Sequence, residues 1–311
     1  GPLLAQQANA AGVVYSLAWG DQPALICEHV DWARSCGFEV TAAGKGTRYL
    51  PEYHSLTPDT GWEVLRQYLE IDDPDSLNLQ MFNSFLDGSK SAIEMTAVCN
   101  ATGLVPQAQG LSFPPSSRFA LADVCRPQKD GGALTCDGTT EVVSSLHRNG
   151  EPVDHHLAMG TFVIVKPKSD YARQCFREYH MLPDQSGRYG ALYRPTHMIG
   201  LELGVSIASV ALRGEPTGQP HCFSSDVVAV AKRDLKAGET LDGEGGHCVY
   251  GKQMPADVSI KKNALALGLS GGLTLTRDVD AGKVLCEEDA ALDNADEAVQ
   301  ARRMMRATFA L

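Results

Sequence analysis

Residues 13–47, VVYSLAWGDQPALICEHVDWARSCGFEVTAAGKGT, decide the fold. An apolar run from Val13 to Trp19 ends at Gly20. Asp21 then stands as an N-cap with Pro23 in the first turn of a helix that reaches Cys36, and Gly37 stops it. A second apolar run, Phe38 to Ala43, closes on Gly44-Lys45-Gly46-Thr47. Strand, helix and strand with near-continuous apolar strands predict a parallel, doubly wound sheet covered on both faces. Ligands bind such sheets at the carboxyl ends of the strands, so Gly20, Asp21, Gln22 and Gly44 are candidate cofactor-binding residues and Lys45 a candidate catalytic one. The alternative is that the two glycines only shape a turn and leave Lys45 solvated.

Working outward, Leu3 to Ala11 reads as the end of an amphipathic helix capped by Gly12. The chain opens on Gly1-Pro2 without a Met and is expected to begin inside an element, truncated at its N-terminal side. Downstream, Thr57-Pro58-Asp59 and Ile71 to Ser76 read as loops, and Asn83 to Thr102 as one helix ending at Gly103. Asp87, Lys90 and Glu94 share a side of that helix, either as a solvated salt-bridge face or as a stripe turned to substrate. Residues 104–132, rich in Pro, Ser and Gly, form a long loop. Asp137-Gly138 and Asn149-Gly150 between alternating segments predict an antiparallel meander from Ala133 to Val165. Ser169 caps a helix to about Tyr179, and a buried Gly/Ala/Ser-rich helix runs to Leu212. Between them Arg188, Tyr189, Tyr193, Arg194 and His197 form a binding loop or a subunit contact, since guanidinium groups meet carboxylates and phosphates bidentately.

Composition narrows the classes. Of 311 residues, 43% are hydrophobic and 21% charged, which fits globular domains and excludes a disordered chain. A net charge of −11 excludes a field able to hold nucleic acid or an anionic membrane. The expected partner is a small-molecule anionic or polyol substrate, and an anionic one would have to be met by a local cluster of Lys and Arg. The nine cysteines form no C-x-x-C pair and read as reduced thiols of a cytoplasmic protein. The most apolar stretch, His197 to Leu212, carries Glu202 and is no membrane span.

The last part repeats itself: Arg233-Asp234-Leu235-Lys236-Ala237-Gly238 recurs 44 positions later as Arg277-Asp278-Val279-Asp280-Ala281-Gly282. Each Ala-Gly pair supplies a tight turn between short apolar strands. This tail resembles an SAF domain, a small β-clip module. With Gly-Asp-Gln-Pro at 20–23, Ala-Ala-Gly-Lys-Gly at 42–46, Phe-Leu-Asp-Gly-Ser-Lys at 85–90 and Gly-Arg-Tyr-Gly-Ala-Leu-Tyr at 187–193, the chain resembles homoserine-dehydrogenase-like oxidoreductases with a C-terminal SAF domain. That group includes deoxyxylulose-phosphate-reductoisomerase-like enzymes and D-apionate oxidoisomerases. The resemblance implies NAD(P)-dependent chemistry on a small sugar acid or sugar phosphate, in a homo-oligomer.

It also implies an opening βαβ with G-x-G-x-x-G, which this sequence lacks; the chain alone is therefore expected to hold NAD or NADP weakly and to be inactive by itself. The expected fold class is α/β and α+β: part of a Rossmann-type sheet at 1–60, an α+β substrate and oligomerisation domain at 61–222, and the SAF-like module at 223–311. Reduction of a carbonyl needs a proton donor beside the oxygen that becomes an alkoxide. Lys45 is the first candidate and Lys90 the second, with Asp87 or Glu94 as the carboxylate for enolisation and Arg188 or Arg194 as the acid clamp. A divalent metal suits such rearrangements, but His155-His156, His221-Cys222 and His247-Cys248 are adjacent pairs that chelate poorly, so no metal ligands are assigned. Two other readings remain open: an SAF-bearing sugar-acid lyase or isomerase that needs no nicotinamide, and a non-catalytic assembly protein.

Overall fold

The computed structural model describes residues 1–69 and 77–309. The expected loop at Ile71 to Ser76 lies outside the described residues. In chain order the principal elements are α1 (Pro2–Ala10), α2 (Gln22–Ser35), β1 (Glu39–Thr47), α3 (Pro58–Leu65), α4 (Leu79–Leu86), α5 (Ser89–Thr102), α6 (Leu121–Val124), β2 (Thr139–Ser144), β3 (Thr161–Lys166), α7 (Asp170–Glu178), β4 (Leu182–Pro183), β5 (Gly190–Arg194), α8 (Gly204–Arg213), β6 (Ser225–Ala231), β7 (Val249–Pro255), α9 (Ala256–Lys261) and α10 (Glu297–Phe309). They divide into two units: Gly1–Leu50 with Glu94–Ser225, and Pro51–Ile93 with Asp226–Leu311.

The fold class is mixed α/β, with a small β module later in the sequence. The first unit holds a five-stranded sheet in the order β2-β1-β3-β5-β4. Only β1 and β2 run parallel; β3 is antiparallel to β1, and β5 to β3 and β4. Two sequence expectations are corrected here. Val13 to Trp19 is not a strand of this sheet: it lies beside residues 217–219, with the Leu17 N–H donating to the Gly218 carbonyl at 2.8 Å. The Ala133–Val165 segment is not a meander, because β1 stands between β2 and β3. Asn149-Gly150 turns a short antiparallel hairpin as expected, with the His147 N–H donating to the Glu151 carbonyl at 2.8 Å and the Val153 N–H to that of Ser145 at 2.9 Å, whereas the strand after Asp137-Gly138 pairs with β1.

Local signals placed the helices well. Asp21 caps α2, accepting from the Gln22 N–H, and Ser169 caps α7 through the Ala172 N–H. α2 packs on β1 and β3. On the opposite face, Ala42, Val143, Phe162, Ile164 and Ala191 build the core with Leu121, Leu134 and Leu157. Gly44 and Gly46 are inside β1, not in a loop after it. A Cβ at either position would stand 1.7 Å from a carbonyl oxygen, of Glu141 and Leu157 respectively, so only glycine lets the backbones approach.

The expected Asn83–Thr102 helix is two helices, broken at Asp87 and at Gly88, which has φ of 90°. The expected buried helix ending at Leu212 is also corrected: α8 buries only Ser206 and Ser209 and turns its aliphatic residues outward.

In the second unit the two repeats close on each other. Leu235 and Val279 exchange both backbone hydrogen bonds, at 2.8 and 3.0 Å. Asp234 accepts from the Ala281 N–H and Asp278 from the Ala237 N–H, each at 2.9 Å. Gly238 and Gly282 take positive φ, as the paired turns require. Leu235, Leu241, Leu265, Leu275 and Leu285 fill the core between them.

Candidate functional site

β1 carries the first site residue into the interior. Alternation within a strand puts Lys45 on the face opposite Gly44 and Gly46, and residues directly across a sheet share a face. Lys45 pairs with Thr161 on β3, and Thr161 pairs with Arg194 on β5. One row of side chains at the carboxyl end of β1 therefore carries an ammonium, a hydroxyl and a guanidinium.

α5 supplies the counter-charge. Lys45 Nζ donates to Glu94 Oε2 in a close ion pair, with the two side chains only 7% and 4% exposed. That burial excludes a solvated Lys45 and a solvated Glu94. α2 supplies His29, whose Nε2 lies 3.0 Å from Thr161 Oγ1. Burial, aided by the positive charge of Arg194, pulls the His29 imidazole down to about 4, so it is neutral at physiological pH. The helical period that buries Ile26 and Ala33 also turns Gln22 and His29 to the sheet, a signal present in the sequence but not used to single out His29.

The remaining sequence candidates separate. Arg194 pairs closely with Glu202, whose other oxygen accepts from the Met198 N–H, so this guanidinium fixes the 198–202 segment. His197 Nδ1 lies 2.7 Å from the Met159 carbonyl oxygen, and Tyr193 is half-buried opposite Phe162. Arg188 and Tyr189 lie beyond the other end of β5, where both reach Asp130: Arg188 at 3.0 Å and the Tyr189 hydroxyl at 2.7 Å. They border a cleft of about 620 Å³ lined also by Lys129, Lys166 and Lys168. At about 3.3 Å per residue, β5 holds Gly190 and Arg194 roughly 13 Å apart, so Arg188 and Arg194 do not clamp one small molecule together.

Asp87 and Lys90 lie in the second unit. Asp87 is fully buried, accepts from the Ser89 N–H, and stands 2.8 Å from Lys232 Nζ. That ammonium also donates to the carbonyls of Leu56 and Gly246, so its donors are satisfied internally. His54 Nδ1 lies 2.7 Å from the Asp87 carbonyl oxygen, and burial lowers its pKa. Lys90 is half-buried on α5. The Asp87–Lys232 tie escaped the sequence reading because its partners are far apart in the chain.

A second buried carboxylate was also missed. Glu141 on β2 accepts from the Gln107 amide, the Ser112 hydroxyl and the N–H groups of Ser112, Phe113 and Val142. Burial raises its pKa while these donors oppose the shift. Its contacts anchor the 107–113 loop to the sheet.

The four cofactor candidates do not fit a dinucleotide pyrophosphate. A phosphate cradle needs backbone open to the ligand and free amides at a helix start. Gly20 is closed off by the Met198 carbonyl oxygen, 2.7 Å from where a Cβ would stand, and Gly44 by that of Glu141. Asp21 places a carboxylate at the start of α2, and Gln22 is buried with its side chain 3.4 Å from the Gly160 carbonyl. Among the described residues no cluster of three or more His, Cys, Asp or Glu side chains is arranged to hold a metal. None of their helices is long and apolar enough to cross a membrane.

Comparison with known proteins finds no match among curated proteins. A family model described as oxidoreductase DRL, catalytic domain, matches residues 20–203, which include β1, α5 and the Lys45–Glu94 pair. An SAF domain model matches residues 226–291, which include the interlocked repeats. The chain thus belongs to the DRL oxidoreductase family, with an SAF domain following its catalytic domain.

Proposed function

We propose that the chain handles the substrate side of an NAD- or NADP-dependent oxidoreductase acting on a small sugar acid or sugar phosphate. The observation that carries this reading is the buried Lys45–Glu94 pair at the carboxyl end of β1, inside the oxidoreductase catalytic domain. Lys45 Nζ gives a proton to the substrate oxygen as a carbonyl is reduced, and takes it back in the reverse direction. Glu94 holds the ammonium in place and balances its charge in a site with little water. Thr161 is held by His29 Nε2 at 3.0 Å and lines the same row. Residues 20–22 and 44 leave the dinucleotide pyrophosphate to other groups, so no step is assigned to them.

Turnover of Lys45→Ala in the full enzyme tests the assignment. Loss of at least a hundredfold in kcat with an unchanged circular dichroism spectrum supports it; near-normal turnover overturns it.

The closed glycines favour a second reading, a sugar-acid lyase or isomerase that uses no nicotinamide. Absorbance at 340 nm separates the two. Substrate consumed without nucleotide turnover selects the lyase or isomerase.

A further inference from the structure

Three segments of the second unit converge on one imidazole. His54 lies in a short 3-10 turn, Pro51–Ser55, and its Nδ1 stands 2.7 Å from the Asp87 carbonyl oxygen just before α5. Its ring stacks on Tyr250 of β7, with centroids 4.2 Å apart and planes 20° off parallel. β7 is fixed against the same helix start, since the Gly251 N–H donates to Ser89 Oγ at 2.7 Å. Alternation along β7 buries Val249, Gly251 and Gln253 and leaves Tyr250 and Lys252 half-buried on the other face. His54 and Asp87 fall within the oxidoreductase match and Tyr250 and Lys252 within the SAF match, yet all four belong to one compact unit.

Tyr250 and Lys252 carry donors that the protein leaves unused. Among the described residues neither the Tyr250 hydroxyl nor the Lys252 ammonium has a hydrogen-bond or ion-pair partner. By contrast Lys232 pairs with Asp87, Arg302 with Asp226 and Arg306 with Glu287. A half-buried ammonium gives up part of its hydration, and an anion is what offsets that loss. Burial, together with the charge of Asp87, raises the pKa of Tyr250, so the phenol keeps its proton as a donor. Burial lowers the pKa of His54, with Lys252 and Lys232 pushing the same way, so the imidazole adds no charge at neutral pH.

The charge count selects the ligand. Asp87 and Lys232 cancel, His54 is neutral, and Lys252 contributes one positive charge. A carboxylate matches it, whereas a phosphate dianion brings a second negative charge toward Asp87. Residues i and i+2 of a strand stand roughly 7 Å apart on one face, within reach of the two oxygens of a single carboxylate for side chains as long as Tyr and Lys. We propose that Tyr250 and Lys252, set beside His54, bind the carboxylate of a small hydroxy acid, so that the SAF domain contributes ligand donors. The choice of a sugar acid rests on the substrate class proposed above.

Isothermal titration calorimetry of the full chain at neutral pH with D-glycerate, glycerol and glycerol 3-phosphate tests this. D-Glycerate binds in about the millimolar range, glycerol does not bind, and glycerol 3-phosphate binds more weakly than D-glycerate. Lys252→Met weakens D-glycerate binding about ten- to a hundredfold, and Tyr250→Phe, which keeps the ring stack, weakens it roughly threefold to tenfold. Lys262→Met, at an exposed lysine of the same module, leaves the affinity unchanged. No binding of D-glycerate to the parent chain, binding that survives both Lys252→Met and Tyr250→Phe, or tighter binding of glycerol 3-phosphate overturns the proposal. The readout involves no turnover, so failure here is separate from the outcome of Lys45→Ala.

Discussion

His29 Nε2 and Thr161 Oγ1 are 3.0 Å apart in the interior of the first unit, joining α2 to the strand that pairs with Lys45. The imidazole is held neutral there, with its pKa lowered to about 4 by burial and by Arg194. In the unfolded chain it titrates near 6.5. Between these values the unfolded chain binds the extra proton, so stability rises with pH across the window. The contribution is complete above about pH 6.5, shrinks on acidification and is gone below about pH 4, a total of about 3 kcal/mol. Urea midpoints of the parent should fall between pH 7 and pH 5 more steeply than those of His29→Gln. Parallel curves would show that another group governs the window.

Removing Lys45 alone takes the Lys45 ammonium away from the buried Glu94 carboxylate. Breaking one side of a buried pair costs about 3–5 kcal/mol, whereas replacing both sides with apolar groups is close to neutral. Lys45→Met should therefore unfold at markedly lower urea than the parent, and Lys45→Met/Glu94→Leu should recover most of the loss. Turnover stays absent in both. Recovery of turnover along with stability would reduce the pair to a structural tie.

Gly46→Ala places a methyl group 1.7 Å from the Leu157 carbonyl oxygen, a backbone atom with little freedom to retreat. A cost of about 3 kcal/mol or more is expected, at the upper end for overpacked interiors. Gly268→Ala, by contrast, meets nothing within 4 Å and needs no positive φ. It should raise stability by about 0.4–1 kcal/mol by restricting the unfolded chain. Differential scanning calorimetry of both variants checks the contrast in sign.

Titration of the chain with NADPH by calorimetry should give no binding in the micromolar range, because Gly20 and Gly44 are closed by carbonyl oxygens and Asp21 sets a carboxylate at the start of α2. Micromolar affinity would mean that a phosphate site exists elsewhere on this chain.

Much of the fold is written locally. Asp21 and Ser169 bond to amides one to three residues away, and Gly37 and Gly103 adopt the positive φ expected of a glycine that ends a helix, so these helix starts and stops could be placed from short windows. Strand partners are not local. β2 joins β1 across nearly a hundred residues, and nothing in the Asp137-Gly138 turn distinguishes that partner from a hairpin neighbour. Lys45 and Glu94 were each legible as candidates from residue type and position, but their pairing came from the fold. α8 was misread for a different reason: its aliphatic residues suggest burial, and nothing in the sequence marks which of its faces the fold covers.

The interlocked repeats of the SAF domain set the order in which that domain can form. Each turn is closed by a carboxylate from the other repeat, 41 residues away for Asp278 and 47 for Asp234. The strand before each turn bonds the other repeat in the same reciprocal way: Ala231 N–H to Lys283, and Leu275 N–H to Glu239. Neither repeat completes its turn while the other is unfolded. Such distant closure makes the chain surrender entropy before contacts repay it, which places the domain among slowly nucleating, all-or-none folders. A lesion in one repeat is then felt in the kinetics of both.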